Sequence, residues 1–366
     1  MSTLHVIGQL VPGGSEKMTL QVARDFVKSG DDHQIVALGE CDESFIESLS
    51  ANAVPIWRPH LTGRGVLDGF RARRLVRRLA LASGVSVIQG HAWRSSISAG
   101  IVARELGIAS IATLHRVYYP AIERWADRFL QHLWDSVVVD SQAVRELLVR
   151  DVGIARGRIE VIPNFVADEM FGVAPPQDRD RRISVLMAAH FTEVKGHRFA
   201  IEALALLEQR QPGRFTLDLL GEGPLLDESR DRVAHHGLEA VIRFHGRRND
   251  LLSWLTRADV VLLPSRWEGF GLILAEAAAC GRPAIAFDVG GAREVIVHGE
   301  TGLLVRPGDV SGLAGALEDL YHDAPLREQM GRDGRRRARQ TYGAAAIIER
   351  YRLLYERLES SAGESR

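Results

Sequence analysis

The chain has 366 residues, a length that suits two domains at roughly 100–200 residues each. Its 46% hydrophobic and 25% charged residues are ordinary for a globular protein with two cores, and its net charge of −1 excludes the global positive field that would draw nucleic acid. Cys41 and Cys280 make neither a disulfide framework nor a zinc pattern, and neither a secretory leader nor a run of about 18 uncharged apolar residues is found, so a cytoplasmic location is expected.

In chain order, LHVIGQL (4–10), HQIVAL (33–38), VPIWR (54–58), VSVIQG (85–90), ASIATLH (109–115), SVVVDS (136–141) and RIEVIPN (158–164) are predicted as strands. Helical patterns over 15–29, 66–83, 95–106 and 142–150 lie between them. Unbroken apolar strands alternating with helices predict a parallel sheet covered on both faces. Residues 172–182 (GVAPPQDRDRR) read as a Pro-rich, charged linker. The pattern then restarts with strands predicted at 183–189, 216–221, 241–246, 259–264, 283–287 and 302–307. The last helical pattern, 344–358, has no strand after it and is expected to pack back on the first domain. The fold class is therefore α/β, two doubly wound Rossmann-like domains, with ligands expected beyond the carboxyl ends of the strands and in the cleft between the domains.

Three segments carry chemistry. In DVVLLPSRWEGFGLILAEAAACG (259–281) a strand leads through a loop into an apolar helix. Gly269 and Gly271 allow close backbone approach, and the helix N-terminus suits a diphosphate. Glu268 and Glu276 offer carboxylates to sugar or ribose hydroxyls, the alternative for Glu276 being a structural bridge. In LMAAHFTEVKGHRF (186–199), Lys195 stands at a helix start, where a cation makes sense beside a bound anion. Only three of the 46 Lys and Arg residues are lysines (Lys17, Lys28 and Lys195), which adds weight to Lys195 as a phosphate ligand. In GQLVPGGSEKM (8–18), Gly13 and Gly14 allow tight turning next to a phosphate, although a Gly-Gly pair alone is a weak signal. His91 and His115 end successive strands and are expected to face the cleft; a strand-end histidine is about as often structural.

Asp178 and Asp180 lie in the charged linker and read as solvated, so no metal site is expected. The GxGxxG dinucleotide signature is absent after either domain's first strand, and no cofactor is expected. The basic runs 71–78 and 334–340 suit an anionic membrane surface, with solvated helix faces the commoner reading.

From Arg158 to Gly308 the chain resembles the family-four retaining glycosyltransferases of GT-B fold. The matching pieces are IPN (162–164), KG (195–196), LLGEGP (219–224), FHG (244–246), ADVVLLPSRWEGFGLILAEAAACGRPAIA (258–286), VGGAREVI (289–296) and ETGLLVRPGD (300–309). The first half matches more loosely through GGSEK, His91, TLH (113–115) and DSQAVRELL (140–148). The resemblance implies an acceptor-side domain over 1–170, joined by the helix at about 344–366, and a donor-binding domain over 171–343. It implies that Glu276 binds the ribose and that Glu268, with the backbone of Gly269, Phe270, Gly271 and Leu272, holds the donor sugar. It implies that Lys195 neutralises the leaving diphosphate with help from Gly13 and Gly14, that His91 sits beside the transferred sugar, and that the base lies against 244–249, which includes Gly246. The catalytic residues implied are His91, Lys195 and Glu268.

One departure stands out. Where the family carries a strand-end Gly-Arg, this chain has Ala189 and His190. A phosphate contact through a protonated His190 makes donor affinity pH-sensitive, unless Lys195 and backbone groups suffice. The expected reaction is metal-independent transfer with retention, from a UDP-sugar first and GDP-mannose second, to a saccharide or lipid-linked saccharide in cell-envelope polysaccharide assembly. His115, Trp93, Tyr118, Tyr119 and Trp125 are placed on the acceptor side, the aromatics stacking on a sugar or covering a lipid. The alternatives are another enzyme on the same fold, such as a sugar-nucleotide epimerase, and a non-catalytic nucleotide-sugar-binding protein.

Overall fold

The computed structural model describes residues 1–11, 13–48, 53–59, 66–114, 128–174 and 182–364. The described residues divide into two compact units, Met1–Asn164 with Ala345–Arg366, and Phe165–Ala344.

The first unit is built on seven parallel strands: β1 Ser2–Ile7, β2 Asp32–Ala37, β3 Ile56–Trp57, β4 Val87–His91, β5 Ala109–Thr113, β6 Ser136–Val139 and β7 Ile159–Val161, in the spatial order β3-β2-β1-β4-β5-β6-β7. Helices α1 Gly14–Lys28, α2 Glu43–Ser48, α3 Val66–Ser83, α4 Trp93–Leu106 and α5 Gln142–Leu147 cover the faces. The period-2 alternation of β1 decides which side each residue serves. Leu4 and Val6 pack with Val76, Leu79 and Val102 on one face, while Ile7 packs with Leu20 and Ala23 of α1 on the other. His5 lies between Leu4 and Val6, on the same side as Ile7.

Most predicted strands come out a few residues shorter, and two elements are cut back for local reasons. The helix expected over 142–150 starts on its Ser141 cap but passes into a wider π turn, Leu148–Val152, which stops at the left-handed Gly153. The strand expected over 54–58 is only Ile56–Trp57, because Pro55 has no N–H to give and the strand is an edge.

The second unit carries six parallel strands: β8 Ile183–Ala188, β9 Phe215–Leu220, β10 Ile242–Phe244, β11 Val260–Leu263, β12 Ala284–Phe287 and β13 Gly302–Val305, ordered β10-β9-β8-β11-β12-β13. Its helices are α6 His197–Arg210, α7 Leu226–His235, α8 Leu251–Arg257, α9 Leu272–Ala279, α10 Ala292–Val295, α11 Val310–His322 and α12 Ala324–Tyr342. The buried Arg282 guanidinium serves structure: it donates to the carbonyls of Leu255 (2.8 Å), Thr256 (3.0 Å) and Ala174 (3.0 Å).

The chain ends in α13, Ala344–Glu364, which is part of the first unit from Ala345 on. Tyr355 Oη donates to Gln89 Oε1 at 2.5 Å inside the core, and Arg352 pairs with Asp31 at 3.0 Å. In each sheet the strand order reverses beside the first strand of the series, between β1 and β4 and between β8 and β11. In such sheets ligands bind at the carboxyl end of this switch point.

Candidate functional site

In the second unit, four loops gather at the carboxyl ends of β8, β9, β11 and β12. After β8 the chain runs through Ala189 and the exposed His190 into a single 3₁₀ turn, Glu193–Lys195, and then the left-handed Gly196 before α6. Gly196 permits this because a Cβ there would stand 2.0 Å from the Pro264 carbonyl oxygen. Lys195 is thereby set beside the loop that follows β11.

Its ammonium donates to both oxygens of Glu268, at 2.8 Å to Oε2 and 3.2 Å to Oε1. The lysine side chain is 29% exposed and the glutamate 10%, so the pair is only partly screened. A protein carboxylate thus stands at the Lys195 ammonium, where the sequence leads one to expect a bound anion.

Glu268 is itself fixed through its backbone. Its carbonyl accepts from Gly291 N–H at 2.9 Å, and a Cβ on Gly291 would lie 2.0 Å from the Gly269 carbonyl oxygen. Phe270 is buried and meets the Tyr342 ring edge-on at 5.2 Å, so it anchors the loop and leaves only backbone for a ligand. Gly271 then begins α9 with no side chain capping it, and Leu272 is the first helical residue. Glu276, one turn further on, is 4% exposed and is the sole charged residue of this apolar helix. The helix terminus and the Lys195 ammonium together can hold an anion, while the two carboxylates can accept hydroxyl protons.

Two neighbours complete this edge. Gly246 follows β10 and its carbonyl accepts from Gly221 N–H at 2.8 Å. His197 is buried and stacks on Phe191 at 3.9 Å; burial first, then the Lys195 charge, lowers its pKa to about 4.

In the first unit, the ends of β1 and β4 open into a cavity of about 600 Å³, lined among others by Gly8, Ser15, Glu16, Asp68, His91 and Trp93. His91 ends β4 as expected, yet both its ring nitrogens have protein partners: Nδ1 lies 3.0 Å from Thr19 Oγ1 and Nε2 lies 3.0 Å from His5 Nδ1. Ala92, next in the chain, has φ 65°, the single positive φ of a non-glycine among the described residues. A strained residue between a strand-end histidine and the helix of Trp93 is the kind of local cost found at functional sites. Gly13 precedes α1 and Gly14 begins it, but the space at Gly13 is taken by the Glu16 carboxylate, which lies 2.3 Å from where a Cβ would stand. His115, Tyr118, Tyr119, Trp125, Asp178 and Asp180 lie outside the described residues.

Sequence reasoning missed His5 and His33, the Lys195–Glu268 pair and the strain at Ala92. A histidine inside an apolar strand was the available signal for the first two. The ion pair joins loops 73 positions apart and left no local pattern.

Comparison with known proteins agrees with this architecture. The family described as Glycosyl transferases group 1 matches residues 174–337, and Glycosyltransferase Family 4 matches residues 12–169. A D-inositol 3-phosphate glycosyltransferase of Paenarthrobacter aurescens is 31% identical over 315 residues, covering 76% of this chain and 75% of that protein. A glycogen synthase of Mycobacterium tuberculosis is 32% identical over 245 residues, which is 66% of this chain but only 58% of the synthase. Among solved structures, a glycosyltransferase from Rickettsia africae superposes with a TM-score of 0.85 at 18% identity over 98% of both chains. Anabaena Alr3699/HepE in complex with UDP does so at 0.84 and 19% over 97% of this chain and all of that one. At these identities the structures show the shared GT-B fold.

Proposed function

Because the chain belongs to the glycosyl transferases group 1 family, we propose that it moves a sugar, with retention and without a metal ion, from a nucleoside-diphosphate sugar to a saccharide or lipid-linked saccharide in cell-envelope polysaccharide assembly. The observation that carries this reading is the Lys195–Glu268 pair at the switch point of the second unit, beside the uncapped start of α9.

In this reading the pair takes part in a charge exchange. The incoming diphosphate takes the place of the Glu268 carboxylate on Lys195, and Glu268 turns to the hydroxyls of the donor sugar. Lys195 and the α9 terminus then face the charge that grows on the leaving diphosphate, where fixed positive groups lower the barrier most. Glu276 binds the ribose, the backbone from Gly269 to Leu272 lines the sugar and phosphate, and the segment with Gly246 takes the base. His190 adds a phosphate contact, and His91 flanks the transferred sugar. Gly14 helps hold the diphosphate, and Trp93 stands on the acceptor side.

UDP-sugars are the first choice of donor, since Alr3699/HepE was solved with UDP and with UDP-glucose. GDP-mannose is the second. No helix among the described residues is long and apolar enough to cross a membrane. The proposed place of work is the cytoplasm, with the basic stretches at 71–78 and 334–340 touching an anionic membrane when the acceptor is lipid-linked.

The test is nucleotide release from UDP-glucose, UDP-N-acetylglucosamine and GDP-mannose, with and without saccharide and polyprenyl-linked acceptors, in EDTA. Acceptor-dependent release of free nucleotide is expected. Release that needs no acceptor, or interconversion of the donor into its epimer, would reject transfer.

A further inference from the structure

Two histidines that the sequence did not single out, His5 on β1 and His33 on β2, are hydrogen-bonded in series to His91 on β4. His33 Nδ1 lies 3.0 Å from His5 Nε2, His5 Nδ1 lies 3.0 Å from His91 Nε2, and His91 Nδ1 lies 3.0 Å from Thr19 Oγ1 on α1. His5 and His33 are fully buried, Thr19 is 1% exposed and His91 5%. The register makes this chain possible: His5 is opposite Ile35 and Gln89, so His33 and His91 are its diagonal neighbours on the same face of the sheet.

The two ends of the chain set its direction independently. At one end, the Thr19 hydroxyl donates to the Ser15 carbonyl at 2.9 Å. Its single proton is used there, so its oxygen accepts from His91 Nδ1–H. At the other end, His33 Nε2 is buried with no partner. A bare lone pair is tolerated there more readily than an orphaned N–H, so the His33 proton is on Nδ1. Both ends give one polarity: His33 donates to His5, His5 to His91, His91 to Thr19, and Thr19 to Ser15. Every imidazole in this arrangement carries one proton, on Nδ1, and none is charged.

We propose that His5 and His33 are positioning residues that hold His91 as a neutral imidazole with its proton on Nδ1 and its Nε2 occupied, so that His91 presents ring carbon, and neither a base nor a cation, to the transferred sugar. This rests on the reading above that His91 flanks that sugar. Glycosyl transfer passes through an oxocarbenium-like state, and an imidazolium beside it would raise the barrier. The device therefore keeps a titratable group at the reaction centre from charging.

The surroundings divide in their effect. Desolvation lowers the His5 pKa first, and the neighbouring His33, which could not be charged beside a charged His5 without repulsion, adds to it; burial lowers that of His33 to about 3, helped by the Met1 ammonium and Arg352 of α13. Tyr355 and Phe26 face His33 as rings. In the cavity beside His91, Glu16 on α1 and Asp68 on α3 favour a charged imidazole, and Arg94 on α4 opposes it. The hydrogen-bond chain engages both His91 ring nitrogens, at 3.0 Å each.

The direct test is long-range ¹H–¹⁵N correlation on histidine-labelled protein between pH 5 and 8, which needs no variant and no substrate. Nδ1-protonated signals for His5, His33 and His91, unmoved across that range, are expected. A proton on His91 Nε2, or a His91 signal that titrates within the range, overturns the proposal. The second test is the pH profile of kcat for His5→Leu, with folding checked by the remaining amide spectrum. With Nε2 released, His91 charges as pH falls through the ordinary imidazole range near 6.5, and kcat of the variant should drop about fourfold between pH 8 and 6 relative to the wild type. A variant profile parallel to the wild type would reduce His5 to a filler of the core. Should no transferase activity be found at all, the reading of function fails while the tautomer measurement still decides the hydrogen-bond chain.

Discussion

At the scale of single residues, the placement of charge is decisive. Lys195 is one of three lysines in an arginine-rich chain, and it meets Glu268 at 2.8 Å. If it stabilises the leaving diphosphate, Lys195→Ala should lower kcat by about 10²–10³, the size found for lost stabilisers of developing charge. Steady-state kinetics with the preferred donor checks this, and activity within a few-fold of the parent would remove the role. A second prediction concerns acid stability. His33 and His197 have pKa values lowered to about 3 and about 4 from 6.5, and that of His5 is also lowered, mainly by burial. Below about pH 6.5 the unfolded chain binds protons that the folded chain refuses, so stability falls as pH falls, by about 1.4 kcal/mol per pH unit for each such histidine until its folded value is reached. Thermal unfolding between pH 7.5 and 5 should show this slope, and His197→Phe should flatten it. Lys195 was legible in the sequence because a rare residue type stood at a strand-to-helix junction. The histidine chain was not, since hydrogen bonds between strands are set by register and depend on side chains 28 and 86 positions apart.

At the scale of elements, the candidate site is an assembly of loops held by close backbone approach. Gly196 is left-handed and has the Pro264 carbonyl at 2.0 Å from any added Cβ, whereas the left-handed Gly237 has nothing within 4 Å. Gly196→Ala should therefore cost more than the ~1–3 kcal/mol of backbone strain alone, and Gly237→Ala about that strain only. Chemical denaturation of the two variants checks the difference; equal losses would mean that the Lys195 loop yields freely. Gly291→Ala should disturb Glu268 without touching it, since its Cβ would meet the Gly269 carbonyl at 2.0 Å. The elements themselves were largely legible. Buried parallel strands favour apolar runs, and each of the thirteen described strands overlaps a segment predicted as a strand. The misjudged ends have local causes, an edge strand after Pro55 and a π turn before Gly153.

At the scale of the whole molecule, two doubly wound units share one chain, and α13 belongs to the first of them. Tyr355→Phe should leave Gln89 Oε1 buried without its donor and cost ~1–3 kcal/mol in the unfolding of that unit. The sequence showed the two series of strands because their period restarts after the linker. It did not show the Tyr355–Gln89 bond, which spans 266 positions. The central claim is that the second unit binds a nucleoside diphosphate through Lys195 without a metal. The most direct measurement is thermal unfolding of the wild type and Lys195→Ala with UDP, GDP, ADP or dTDP, each with and without EDTA. A ligand at about 100 times its Kd adds about 2.7 kcal/mol, a clear rise in Tm. We predict that one nucleotide, UDP first, raises the wild-type Tm equally with and without EDTA, and that Lys195→Ala loses most of the rise. No response to any nucleotide, a response abolished by EDTA, or an undiminished response of Lys195→Ala would contradict the claim.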